Sequence, residues 1–249
     1  PSPLKSPGQG SAAGATLAQS APTRISSVAK SPLLSSITAV GRLGPAFTVK
    51  VAEADDAERV RARIGLKEPY RTLLGHFRHE SGHYYWDRLI KDSPSIGAFR
   101  VLFGDDRADY QEALHRNYQQ GPPPNWQDSY VSGYAAMHPW EDWAETWAHY
   151  LHMVDTLETA SACGVKIEPP RHDEPTLTEV PNPVGDEEVS FERLIESWAP
   201  ITYVLNNLNR GLGNDDAYPF VLSEPATKKL RFIHDTIAAK SQPLDAYYK

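Results

Sequence analysis

The residues best suited to chemistry are His79-Glu80-Ser81-Gly82-His83, an HExxH pattern inside the stretch LLGHFRHESGHYYWDRLIK at 73–91. On an α-helix, residues four apart share a face one turn along the axis, so both imidazoles can reach a single metal ion. Glu80 projects beside them, where its carboxylate can accept a proton from a water activated by that ion. Taken alone, the pattern also fits a helix that happens to carry two histidines. Its apolar flanks, Leu73, Leu74, Phe77, Tyr84, Tyr85, Trp86 and Leu89, argue instead for a buried helix. Buried imidazoles beside a carboxylate need partners, and a metal ion would supply them.

A second cluster lies in SYVSGYAAMHPWEDWAETWAHYLHMVDTLETA at 129–160. Pro139 suits a helix start, and no breaker follows from Glu141 to about Ala160. Trp143, Trp147, Tyr150, Leu151, Val154 and Leu157 give that helix an apolar face, while Glu141, Glu145, His149 and His152 form a polar stripe along it. Such a stripe is costly to bury without charge partners. Two histidines from the first helix and one glutamate from the second would leave a tetrahedral metal ion one open position for water. The earlier acid, Glu141, is expected to be the third ligand, and Glu145, one turn on, to orient a ligating imidazole through its free N–H. The reverse assignment remains an alternative on spacing alone.

The elements that must position these groups follow from periodicity and punctuation. Ala46 to Val51 alternates as a strand, and Glu53 to Ile64 reads as a short charged helix before Gly65 and Pro69. Asp92-Ser93-Pro94 should end the HExxH helix. A helix is expected from about Arg107 to Tyr118, with Asp105 and Asp106 as charges at its N-terminus. Residues 166–189, rich in Pro, Asp and Glu, read as a long loop or flap that shapes access to the site. Phe191 to Leu208 and Glu224 to about Ala239 read as amphipathic helices covering the two central ones. The fold expected is α+β but predominantly α-helical, with a small N-terminal strand region.

At 249 residues the chain suits one catalytic domain, expected over 33–249, preceded by a disordered tail at 1–32. The first 50 residues hold five basic and no acidic side chains, so removing their +5 from the overall −7 leaves −12 on the remainder. That balance argues against a nucleic-acid partner. No apolar run approaches the roughly 20 residues of a membrane span, and with no visible signal a cytoplasmic location is expected. The single cysteine, Cys163, excludes an internal disulfide or an all-cysteine zinc site, and its Ala-Cys-Gly setting suggests a small buried core residue. Oligomeric state is not legible.

Three segments, GHFRHESGHYYWDRL at 75–89, FRVLFGDDRADYQEAL at 99–114 and YAAMHPWEDWAETWAHYLHMVDTLETA at 134–160, resemble a bacterial family of zinc-binding metallopeptidases. More distantly they are similar to the gluzincins, in which HExxH is followed by a helix bearing a Glu ligand. The resemblance covers roughly 47–240 and implies a zincin-like metallopeptidase domain with one zinc ion. By motif position His79, His83 and Glu141 would be the ligands and Glu80 the general base. In some gluzincins a tyrosine seven residues before the ligand Glu hydrogen-bonds the oxyanion, and Tyr134 stands at that spacing; a core aromatic role fits it equally. His138 could also be the electrophile, although the proline after it suggests helix entry. Family members commonly begin with a Cys-rich zinc ribbon, and this chain has no such cysteines.

The resemblance thus implies a zinc-dependent peptidase acting on a peptide or protein substrate. Two other functions use the same residues. One is a non-catalytic zinc-binding interaction module with a closed coordination sphere, and the other a zinc hydrolase of a non-peptide amide or ester.

Overall fold

The computed structural model describes residues 72–185 and 188–241. The strand expected at 46–51, the helix expected at 53–64 and the tail expected at 1–32 lie outside them. The described residues form α1 (Leu73–Leu89), α2 (Ile96–Phe103), α3 (Tyr110–Gln120), α4 (Pro139–Ala162), α5 (Phe191–Gly211) and α6 (Glu224–Ser241), with 3-10 turns at Trp126–Asp128 and Ala135–Met137. Extended pairing among them is limited to one antiparallel bridge, Ile167 to Leu177. The predominantly helical expectation therefore holds for this part of the chain.

Each central helix is bounded by local chemistry. The Thr72 hydroxyl accepts from Gly75 N at 2.9 Å, satisfying one of the free donors at the start of α1. The helix ends at Leu89, and the chain then turns away with Asp92 in the left-handed conformation, φ 57°, before Pro94. His138 caps α4: its Nδ1 accepts from Trp140 N at 3.1 Å, Pro139 fills the first turn, and Nε2 donates to Ala108 O at 3.1 Å. Both ring nitrogens of His138 are thereby occupied in helix entry.

The core is built around α4, which carries two fully buried tryptophans, Trp143 and Trp147, together with Tyr150, Met153 and Leu157. α1 packs along one side of it, and α2, α5 and α6 cover the rest. The α1–α4 contact is close because Gly82 has no side chain: a Cβ there would lie 2.8 Å from Ala144 Cα and 3.2 Å from Ala144 O. At the same crossing Trp143 Nε1 donates to Gly82 O at 2.8 Å and Trp147 Nε1 to Ser81 Oγ at 3.1 Å. Both buried indoles thus satisfy their polar ends on the HExxH helix while filling the core with their rings.

Several expectations are corrected in detail. The segment at 99–103 is the end of helix α2. α3 starts later than expected, with Asp109 as its cap accepting from Glu112 N at 3.0 Å. Asp105 and Asp106 are instead spent on Arg107 and Arg100, at 2.8 and 2.6 Å. The loop after α4 is packed down rather than a free flap: Ile167, Leu177, Val180 and Val184 are buried in the main core. Cys163 is exposed, because the chain leaves α4 there and turns at Gly164, φ 64°. Leu74 and Phe77 are exposed too, so the apolar surround of α1 is buried only from His79 onward.

Candidate metal centre

The α1–α4 crossing brings the sequence-predicted residues together. His79 Nε2 lies 3.1 Å from His83 Nε2 and 3.0 Å from Glu141 Oε2, and His83 Nε2 lies 3.4 Å from the same oxygen. His79, His83 and Glu141 form a group whose potential ligand atoms all fall within 4.8 Å of one another. Glu141 is 2% exposed, and its Oε2 is buried without a hydrogen-bond partner despite those short approaches. A buried carboxylate oxygen without a donor is costly. Two imidazole nitrogens and this oxygen converge on one point, so nitrogen and carboxylate donors of the kind zinc favours fit an ion there.

Surrounding groups hold the three in place. Glu145 Oε1 lies 2.6 Å from His79 Nδ1, and Glu145 Oε2 accepts from the Ser132 hydroxyl at 2.6 Å. The other oxygen of Glu141, Oε1, accepts from the Tyr110 hydroxyl at 2.8 Å. Tyr134 is a near neighbour of Tyr110, and each phenol influences the other's ionisation. His83 has no polar partner on Nδ1; the ring is steadied by Trp140, whose centroid is 3.9 Å away. Tyr134 stands 6.0 Å from His79, ring to ring. Glu80 is partly exposed, 3.7 Å from His76 Nε2.

The electrostatics follow from this crowding. Burial pulls the His79 pKa down, but the close approach of Glu141, the Glu145 hydrogen bond and the charge on both carboxylates overcome it and raise it to about 10. Burial pushes both carboxylates upward, yet His79 holds Glu145 down at about 2, and His79 with His83 holds Glu141 well below the usual range. Burial, followed by the Glu141 charge, raises the phenols of Tyr110 and Tyr134, so both remain donors.

The rest of the α4 polar stripe stays apart from this cluster. His149 Nδ1 pairs with the Tyr218 hydroxyl at 2.7 Å, and His152 Nδ1 with Arg78 at 2.5 Å, while Arg78 also binds Asp155. Burial lowers His149 to about 4 and His152 to about 3. Next to Glu141, Asp142 turns the other way and meets Lys229 of α6 at 2.6 Å, both buried; Lys229 also donates to Ser129 O at 2.8 Å. Tyr110, Ser132 and Lys229 were not legible as site residues. They lie on other segments and carry no spacing signal toward the HExxH helix.

Helices crossing at a His-His-Glu cluster with an HExxH motif define the class: a candidate zinc site of the metallopeptidase kind. The chain belongs to the family described as "Putative zinc-binding metallo-peptidase", whose model matches residues 27–236. Similar proteins include uncharacterized proteins of Mycobacterium bovis and Mycobacterium tuberculosis, each 48% identical over 207 residues. That match takes in 82% of this chain and 58% of each relative, so the chain spans somewhat more than half the length of these relatives. No solved structure matches it. No helix among the described residues is long and apolar enough to cross a membrane.

Proposed function

We propose that this chain is a zinc-dependent peptidase in which His79, His83 and Glu141 hold one zinc ion. The observation that supports this most directly is the orphaned, buried Oε2 of Glu141 facing two imidazole nitrogens at 3.0 and 3.4 Å. When bound, zinc supplies Lewis acidity that makes water nucleophilic near neutral pH. The chain's own residues do the remaining work. Glu80, between the two imidazoles in sequence and partly exposed, takes the proton of the attacking water on a carboxylate oxygen and returns it to the leaving nitrogen. Tyr134, held protonated by burial, donates its hydroxyl to the substrate oxygen as negative charge develops there. Glu145 fixes the His79 ring so that Nε2 keeps facing the ion.

The test is the zinc content of the purified chain after loading and removal of loosely held metal, followed by a peptide-library cleavage screen. One zinc per chain with chelator-sensitive cleavage is expected. Folded protein that retains no zinc overturns the reading, and zinc-loaded protein that cleaves no peptide overturns its catalytic half.

A further inference from the structure

We infer that Tyr110 is a positioning residue that makes Glu141 a one-oxygen ligand, by binding Oε1 and leaving Oε2 alone for the ion. This rests on the zinc reading above and adds to it a residue that neither the motif nor the spacing contains.

The two oxygens of Glu141 are in different states. Oε1 accepts from the Tyr110 hydroxyl at 2.8 Å, whereas Oε2 is buried, makes no contact of hydrogen-bonding geometry, and faces both imidazoles at 3.0 and 3.4 Å. Carboxylates bind cations through one oxygen or two, and a two-oxygen carboxylate would occupy the position that a hydrolytic site leaves open. A neutral phenol suits the task, since it removes one oxygen from competition without bringing a cation near the zinc. Tyr110 sits in the first turn of α3, just after the Asp109 cap, so its backbone is fixed by a helix that supplies no ligand. Its ring is braced edge-on by His138 and Trp140, with centroids at 5.4 and 6.0 Å.

The experiment uses the full chain with cobalt in place of zinc, because the visible bands of cobalt weaken as coordination rises from four to five. Tyr110→Phe frees Oε1. Its cobalt bands should weaken and its zinc Kd rise about tenfold, the lower end of the range for partners of metal ligands. Tyr134→Phe keeps the Tyr110 bond to Glu141 and should retain the wild-type spectrum. An unchanged spectrum in Tyr110→Phe, or an equal change in Tyr134→Phe, overturns the inference. Wild-type protein that binds neither metal overturns the zinc reading and this inference with it, whereas wild-type binding with an unaltered Tyr110→Phe removes the inference alone. Should Tyr110→Phe fold poorly, a fluorine-substituted tyrosine placed at 110 keeps the ring and the hydroxyl. Its fluorine resonance should shift on zinc addition, and no shift overturns the inference.

Discussion

Glu145 Oε1 lies 2.6 Å from His79 Nδ1, on the ring nitrogen opposite the one that faces Glu141. In the zinc reading proposed above, this arrangement would give the two acids separate duties, Glu141 as the ligand and Glu145 as the group that fixes the His79 tautomer. Glu145→Gln should weaken zinc binding about 10- to 100-fold, and Glu141→Gln should weaken it further. Competition against a chromophoric chelator measures both, and the opposite order would exchange the two roles.

Glu80→Gln should bind zinc as tightly as wild type while losing at least about a hundredfold in peptide cleavage, the usual contribution of a general base. The comparison is of kcat/KM at matched zinc occupancy. Near-full activity in this variant would remove Glu80 from the mechanism.

Zinc uptake should release protons. In the metal-free protein the two flanking carboxylates raise His79 to about 10, so at neutral pH its ring carries a proton that zinc must displace. Affinity should therefore rise with pH by roughly one log unit per pH unit below that value. Calorimetry in buffers of different ionisation enthalpy should count about one proton released per zinc. Uptake without proton release would contradict the charge state assigned to His79.

The metal-free fold should lose stability on mild acidification. Burial holds His149 at about 4 and His152 at about 3, against an ordinary value of 6.5. The unfolded chain therefore binds protons there that the folded chain refuses. Stability from these residues is intact above pH 6.5 and falls as pH drops toward 4. Denaturant titrations across that window should show the slope, and His149→Gln should flatten it. An equal slope in the variant would place the acid sensitivity elsewhere.

Gly82→Ala should destabilise the fold although alanine is the better helix former. The new methyl would meet Ala144 Cα at 2.8 Å, and neither backbone can move without parting the helices. Overpacking of this kind costs about 1–3 kcal/mol, offset by about 1 kcal/mol of helix propensity. A lower Tm with weaker zinc binding is expected; an unchanged Tm would mean that the crossing is looser than the contact distance implies.

The site could be read from sequence where its geometry is local. The spacing from His79 to His83 is one helical turn, and that from Glu141 to Glu145 another, so each pair had to share a face. Pro139 and Asp92-Ser93-Pro94 marked the ends of the helices that carry them. What escaped was non-local. The Tyr110 bond to Glu141 spans 31 residues and the Lys229 bond to Asp142 spans 87, and no period in the chain encodes either. Spacing also could not tell that the polar stripe of α4 divides in two, with Glu141 and Glu145 at the cluster and His149 and His152 paired to Tyr218 and Arg78. Cys163 differs for a related reason: its Ala-Cys-Gly setting suggests a small core residue, but its exposure is set by where α4 ends.

The pairing of Asp142 with Lys229 makes α6 part of the charge balance on α4. Asp142 is 0% and Lys229 4% exposed, and burial lifts Asp142 to about 7 even with the ammonium beside it. A chain cut before α6 would keep every residue of the HExxH and glutamate motifs. It would nevertheless place an uncompensated acid directly beside Glu141, one turn before Glu145, among side chains that exclude water. Completeness of the motif is therefore not completeness of the site, and the unit that keeps this charge balance extends through α6.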